Sequence, residues 1–371
     1  MSDPQKDETR TRLLRRPRTL DVNNVVLIPF AAVFTALVLG GVIMMTTGLG
    51  LTEVGKTYVA LANGAFGSIY AISETLVAAA PLILAGLAVA VGFRAGLFNI
   101  GAEGQILIGG MASVIVGFSF AGLPMFVHLP FALVVGAVAG AMWAAIAGWL
   151  RATTGAHEVI TTIMLNFIAF RLIDFMLRSP LIQKPGRNDP ISKSVLDSAT
   201  LPNLLEWIQP FYRTNAGILL AVAMVLVVSW VMFRTTWGFE SRATGASPDA
   251  SKYAGIKVGR TIIAAMAAGG ALAGLAGGIQ VLGVLGRASP GFSSGIGFEA
   301  IAVALLGRAH PVGVLLAGLL FGALEAGGRQ MQVKAGVSVD LITIIQALIV
   351  VFIAAPILIR RLYPFLLRNG R

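Results

Sequence analysis

The sequence predicts an all-α, polytopic membrane protein of about ten transmembrane helices, and three observations carry that expectation. Hydrophobic residues make up 56% of the 371 and charged residues only 12%, with a mean hydropathy of +0.83; soluble chains carry about 25% charged residues. Apolar runs recur at close to the length that a bilayer core demands. None alternates with the two-residue period of a strand, and backbone groups in hydrocarbon are satisfied only by helices or closed barrels. Cysteine is absent, which removes disulfide and thiolate chemistry, and His128, His157 and His310 are too scattered for a metal site. The net charge of +11 gathers at the ends of apolar runs, as membrane orientation requires, and not along one soluble face that could take nucleic acid.

Residues 1–24 carry Lys6, Arg10, Arg12, Arg15, Arg16 and Arg18 and read as a cytoplasmic basic arm. One transmembrane domain is expected over 25–360, and a cytoplasmic tail over 361–371. The first span, 25–47, has no small-residue cleavage site after it and reads as a retained helix, not a signal peptide. Further spans are expected at 75–92, 104–120, 129–150, 158–177, 214–233, 261–282, 297–307, 311–328 and 340–359. With the amino terminus inside, the inner segments hold 18 of the 28 Lys and Arg, the outer segments nine, and Arg171 falls within a span. That bias predicts both termini in the cytoplasm. It makes 178–213 an extracytoplasmic loop and 234–260 a cytoplasmic one.

The 44 glycines need a reason. Gly136/Gly140 and Gly270/Gly274/Gly278 have small-xxx-small spacing, which lets helix backbones approach closely in lipid. The pentapeptide LAGLA at 84–88 recurs at 272–276, five spans later. An odd offset reverses the direction of travel, so this echo fits an inverted repeat, or chance among small apolar residues.

Two motif matches are decoys. Residues 50–57, GLTEVGKT, fit the phosphate-loop pattern, but that loop works between a strand and a helix, where backbone amides cradle phosphate. Here it follows a membrane helix on the expected outer side. Residues 295–300, GIGFEA, fit the loose dinucleotide pattern with no strand-turn-helix unit around them.

Two segments carry more. Residues 96–105 set Asn99, Glu103 and Gln105 among glycines at the join of the second and third spans. Polar groups there either line a water-filled path or act locally, with the amides as helix caps and Glu103 paired to Arg94. Between the sixth and seventh spans, Ser247 is an N-cap, Pro248 takes the first helical position, Asp249 faces the helix dipole, and Gly255 ends the helix. So short and well capped a helix fits a groove on another protein, or it simply turns the chain.

Four runs, FNIGAEGQ at 98–105, EVITTIMLN at 158–166, GASPDA at 245–250 and GFEAIAVALLGR at 297–308, occur in the same order as in the nucleoside and simple-sugar branch of ABC-importer permeases. The chain resembles that family from about residue 66 to 350. The resemblance implies the type II importer fold in a bacterial inner membrane. It also implies a second permease, often a paralogue, a cytoplasmic ATPase that binds ATP and Mg, and an extracytoplasmic substrate-binding lipoprotein. This chain itself would bind no cofactor and would not be an enzyme. The substrate would be a nucleoside, purine nucleosides favoured, or a simple sugar. On this basis Phe98, Asn99, Glu103, Gln105, Asn166, Phe298 and Glu299 are candidates for the substrate path. Ser247, Pro248, Asp249, Ala250, Lys252, Tyr253 and Gly255 resemble the coupling helix that meets the ATPase.

The competing reading is an ion-coupled secondary transporter, which would need ionisable groups within the membrane. Arg171 and Asp174, three apart, could pair there, with Asn166 and Phe170 on the side of Asp174; the alternative is a helix end whose charges snorkel. A membrane-embedded hydrolase lacks a nucleophile motif.

Overall fold

A computed structural model of the chain describes residues 22–355 except 339, together with 358, 362 and 363. The basic arm up to residue 21 and most of the expected tail lie outside the described residues. The described residues divide between two compact units, one over Gly48–Thr343 and the other within the bounds Met1–Thr47 and Ile344–Arg371.

In the smaller unit, α1 (Val22–Thr46) has a membrane-length apolar window from Pro29, and its Thr35 hydroxyl bonds the Ala31 carbonyl and the Tyr363 hydroxyl.

The larger unit contains α2 (Leu51–Phe66), α3 (Ile69–Arg94), α4 (Ala102–Ser119), α5 (Met125–Thr154), α6 (Glu158–Leu177), α7 (Gly217–Arg234), α8 (Thr236–Ala246), α9 (Pro248–Tyr253), α10 (Val258–Ile279, continued as a π-helix to Leu285), α11 (Ile296–Leu306) and α12 (Pro311–Ala335). A last helix, α13, spans Asp340–Ala354. Among the described residues the only β pairing is two isolated bridges, Gln183 with Ser192 and Asn203 with Asn215.

Helix α3 is apolar on every side, as a fully enclosed helix must be, and is buried from Ser73 to Gly92 apart from the partly exposed Leu76. Helices α7, α10, α11 and α12 pack around it. A second group joins α4, α5 and α10 through the glycine stripes expected to pack. The Gly274 backbone lies against Gly109 and the Gly136 carbonyl, and Gly270 lies against the Gly140 carbonyl, so backbone meets backbone with no side chain between.

Among the described residues, eight helices are long and apolar enough to cross a membrane: α1, α3, α4, α5, α6, α7, α10 with its π extension, and α12. Two further expected spans are present as apolar helices shorter than a full crossing. The span at 297–307 is only the 11-residue α11, about 16 Å of helix against a core of about 30 Å. Irregular backbone over 286–295 precedes it, with positive φ at Gly286, Gly291, Ser294 and Gly295, and buries Ala288, Phe292 and Ser293. Non-helical backbone is tolerated at membrane depth only where it is buried in protein or lines a water-filled cavity. The span at 340–359 is the 15-residue α13, which ends at Ala354.

Helix α2 is absent from the sequence-based expectation. Its buried face, Val54, Thr57, Ala60 and Gly64, repeats every three to four residues, and Gly64 fits against Gly327 and Gln330 of α12. Equally unexpected is how the 178–213 segment is tied down. The amides of Ser192, Val195 and Leu201 donate to the carbonyls of Ala288, Gly286 and Leu282, and the Asn215 side-chain amide donates to the Gly283 carbonyl. Those bonds occupy carbonyls that the π turn and its exit would otherwise leave unpaired. At the same end of the bundle, the buried Glu74 carboxylate of α3 accepts two bonds from Arg213, one of them at 2.9 Å from Nε, and lies 3.5 Å from Arg329 of α12.

Candidate functional site: a stitched turn and an exposed short helix

The turn after α3 is built by its backbone first. The Gly96 amide donates to the Phe93 carbonyl and the Leu97 amide to the Gly92 carbonyl, with Gly96 at φ +73°. This is a Schellman stop, which needs a left-handed residue just past the helix end. A side chain at Gly96 would also strike the Gly245 backbone, 2.8 Å from its Cα.

Polar side chains then lock the turn. Asn99 Oδ1 accepts from the Gly101 amide at 2.9 Å, and Asn99 and Gln105 exchange two side-chain hydrogen bonds, each 3.1 Å. Asn166, from α6, accepts from the Gly104 amide and donates to the Ile100 carbonyl, both at 2.9 Å. Glu103 accepts from the Ser293 hydroxyl and, at 2.7 Å, from the Gly297 amide. A carboxylate is thereby set at the N-terminus of α11, where the helix dipole favours negative charge. Arg94 does not pair with Glu103; its Nε donates instead to the Ala309 carbonyl at 2.9 Å.

Asn99, Glu103, Gln105 and Asn166 are each 2% exposed or less. In this conformation they join α3, α4, α6 and α11 and do not face an open path. The surface beside them belongs to Phe98 and Phe298, both exposed, and to the half-buried Glu299. The Phe98 ring lies 5.0 Å from that of Phe93.

The second candidate segment follows the expected chemistry. Ser247 Oγ accepts from the Ala250 amide at 3.3 Å, Pro248 and Asp249 fill the first turn, and Gly255 at φ +85° closes the helix, with Ile256 donating to the Ser251 carbonyl. Ala250, Lys252 and Gly255 are exposed, and Tyr253 is 95% exposed, while Ser251 is buried. Helix α8, which leads into it, occupies a stretch that reads from sequence only as loop. Arg171 and Asp174 do meet, at 3.9 Å, but on an exposed surface of α6 with the Arg171 side chain 89% exposed, so they form no buried ion site.

A family model described as the branched-chain amino acid transport system permease component matches residues 71–354. The chain belongs to that family. Among characterised relatives the permease is 41% identical to the guanosine ABC transporter permease protein NupP of Bacillus subtilis, over 93% of this chain and 97% of that one. It is 40% identical to the glucose ABC transporter permease protein TsgB13 of Haloferax volcanii, over 88% and 86%. It is 37% identical to the nucleoside ABC transporter permease protein NupB of Lactococcus lactis, over 91% and 93%. A second guanosine permease of Bacillus subtilis, NupQ, is 28% identical over 69% of the chain. No solved structure matches it. The permease is the membrane-embedded subunit of an ABC transporter, and the ATPase of such a system is a separate chain.

The phosphate-loop match is absorbed by α2. Gly55 and Lys56 lie inside the helix, and the Gly50 amide that would face phosphate donates to Glu53 Oε2 at 2.8 Å. Lys56→Ala is therefore expected to leave uptake and ATP hydrolysis of the assembled transporter within about twofold of the parent. Loss of hydrolysis in a normally assembled Lys56→Ala complex would contradict this.

Proposed function

We propose that the permease forms one half of the channel of an ATP-driven, binding-protein-dependent importer of nucleosides, with purine nucleosides favoured over simple sugars. The observation that carries this reading is the likeness to a guanosine permease over nearly the whole of both chains. Phe98 and Phe298 support it: exposed beside the stitched turn, they offer rings on which a base can stack. The Glu299 carboxylate beside Phe298 is an acceptor for ribose hydroxyls. Asn99, Glu103, Gln105 and Asn166 then act on the path indirectly, by fixing the turn that presents Phe98.

In this proposal the Arg94 end of the bundle faces the bacterial cytoplasm, together with both termini. The concentration of Arg and Lys in segments on that side supports it. Helix α9, with Ser247, Pro248, Asp249, Ala250, Lys252, Tyr253 and Gly255, seats in a groove of the ATPase, which binds ATP and Mg²⁺. A paralogous permease completes the channel, and a binding lipoprotein delivers substrate at the Glu74 end. No nucleic acid takes part.

The test is uptake in proteoliposomes that hold this permease, its partner permease, the ATPase and the binding protein. Labelled guanosine should enter only with ATP, Mg²⁺ and the binding protein, and should still enter in the presence of a proton ionophore. Uptake of glucose but not guanosine would reassign the substrate class. Uptake that needs no ATP and collapses with the ionophore would establish the ion-coupled alternative.

A further inference from the structure

Phe233, at the end of α7, is shared by three neighbours. The Arg94 guanidinium lies 5.3 Å from its ring centre, the Arg242 guanidinium of α8 lies 5.2 Å from it, and the His310 ring stacks on it at 5.2 Å and 28°. Two like charges around one ring repel, and among the described residues neither takes part in an ion pair. The electron-rich face of the ring is what offsets that repulsion. Burial, and then the Arg94 charge, push His310 below its ordinary value, so it stacks as a neutral ring near pH 7.

Each neighbour belongs to a different segment. Arg94 is the last residue of α3, and the Ala309 carbonyl it holds lies in the turn between α11 and α12, where Arg308 and Ala309 are consecutive non-glycine residues at φ 52° and 50°. Left-handed backbone of this kind persists only where its surroundings hold it. Arg242 lies five residues before the Ser247 cap of α9. Close by, Gly245 abuts the end of α3, where an added Cβ would sit 2.7 Å from the Gly96 amide nitrogen.

We infer that Arg94 is a positioning residue and Phe233 the pivot of a joint through which displacement of α9 reaches both the end of α3 and the α11–α12 turn. The inference rests on the ATP-driven reading above. Neither residue contacts substrate or nucleotide; the joint sets how much of each hydrolysis event arrives at the stitched turn. Arg suits the task because its planar guanidinium can stack on the ring while its Nε–H bonds the carbonyl, whereas a Lys ammonium is a compact, strongly hydrated point charge on a flexible stem.

The test compares substrate transported per ATP hydrolysed in the reconstituted complex for Phe233→Leu, Phe233→Tyr, Phe233→Trp and Arg94→Lys. Phe233→Leu and Arg94→Lys should assemble, keep ATP hydrolysis within about threefold of the parent, and lose about tenfold or more of transport. Phe233→Tyr and Phe233→Trp, which restore the ring, should recover most of it. Equal loss of hydrolysis and transport, or full transport in Phe233→Leu and Arg94→Lys, overturns the joint. A parent complex without ATP-dependent uptake would be a failure of the import reading and would show before any variant is made. In that case hydrogen exchange on the full-length permease decides the joint alone. Phe233→Leu and Arg94→Lys should speed exchange of the amides at 307–310 and of those at 242–247 together. Unchanged exchange in either stretch overturns it.

Discussion

Gly274→Leu is expected to prevent the permease from assembling its helix bundle. At this point α4, α5 and α10 meet through backbone alone. An added Cβ on Gly274 would fall far inside the Gly136 carbonyl oxygen and lie 3.1 Å from the Ala137 Cα, so what must yield is main chain and not the tip of a flexible side chain. Overpacking a closed core by a few methylenes costs about 1–3 kcal/mol and sometimes more. Leu would add its whole side chain at a crossing that has no space for the first carbon. Whole domains are stable by only about 5–15 kcal/mol. The expected result is little monodisperse protein after detergent extraction, with Gly274→Ala intermediate. Gly259→Ala on the same helix is the control, because its new carbon would meet only the Ala152 methyl at an ordinary 3.5 Å. A Gly274→Leu protein that elutes and melts like the parent would show that these stripes are not in contact.

Glu103→Ala should be the most damaging change in the stitched turn. It removes the acceptor of both the Ser293 hydroxyl and the Gly297 amide, which are buried, and each unsatisfied group costs about 1–3 kcal/mol. It also strips the negative charge from the start of α11. Glu103→Gln keeps one carbonyl oxygen for Gly297 and can turn its amide toward Ser293, so melting temperatures in detergent should fall in the order parent, Gln, Ala. Transport should be near background in the Ala variant. An Ala variant that melts with the parent and transports at the parental rate would mean that α11 needs no anchor at its N-terminus.

The membrane helices can be read from sequence because each is a long unbroken apolar run, and the chemistry of such a run does not depend on its partners. The apolar run of α11 is legible within a residue of its bounds; what is not legible is the buried irregular backbone that leads into it, because its glycines and serines follow no hydrophobic period. α2 is hidden for a related reason: Glu53, Lys56 and Asn63, on its exposed side, break up the apolar run along the sequence, and the segment imitates a phosphate loop. At the candidate site, residue types are legible and partners are not. Asn99, Glu103 and Gln105 stand out as polar groups among glycines, but the groups that satisfy two of the turn's polar contacts lie 62 and 190 residues away in sequence, at Asn166 and Ser293. Local patterns do not encode contacts at that range. The Ser247 helix is the opposite case, since its cap, its proline and its closing glycine are all local and appear as expected.

The shortness of α11 has a bearing on how the chain enters the bilayer during synthesis. Its 11 residues, about 16 Å of helix, cannot anchor themselves in hydrocarbon as runs of about twenty residues do. The irregular backbone just before it cannot rest against lipid at all. The stretch 286–306 therefore has no independent way into the membrane. It must be inserted against helices already delivered, with the Glu103 carboxylate of α4 waiting to receive its first amides. The order of translation supplies that template: Glu103 emerges 194 residues ahead of Gly297. Biogenesis of this permease is in that sense sequential, with its late, short crossing assembled on its earlier ones.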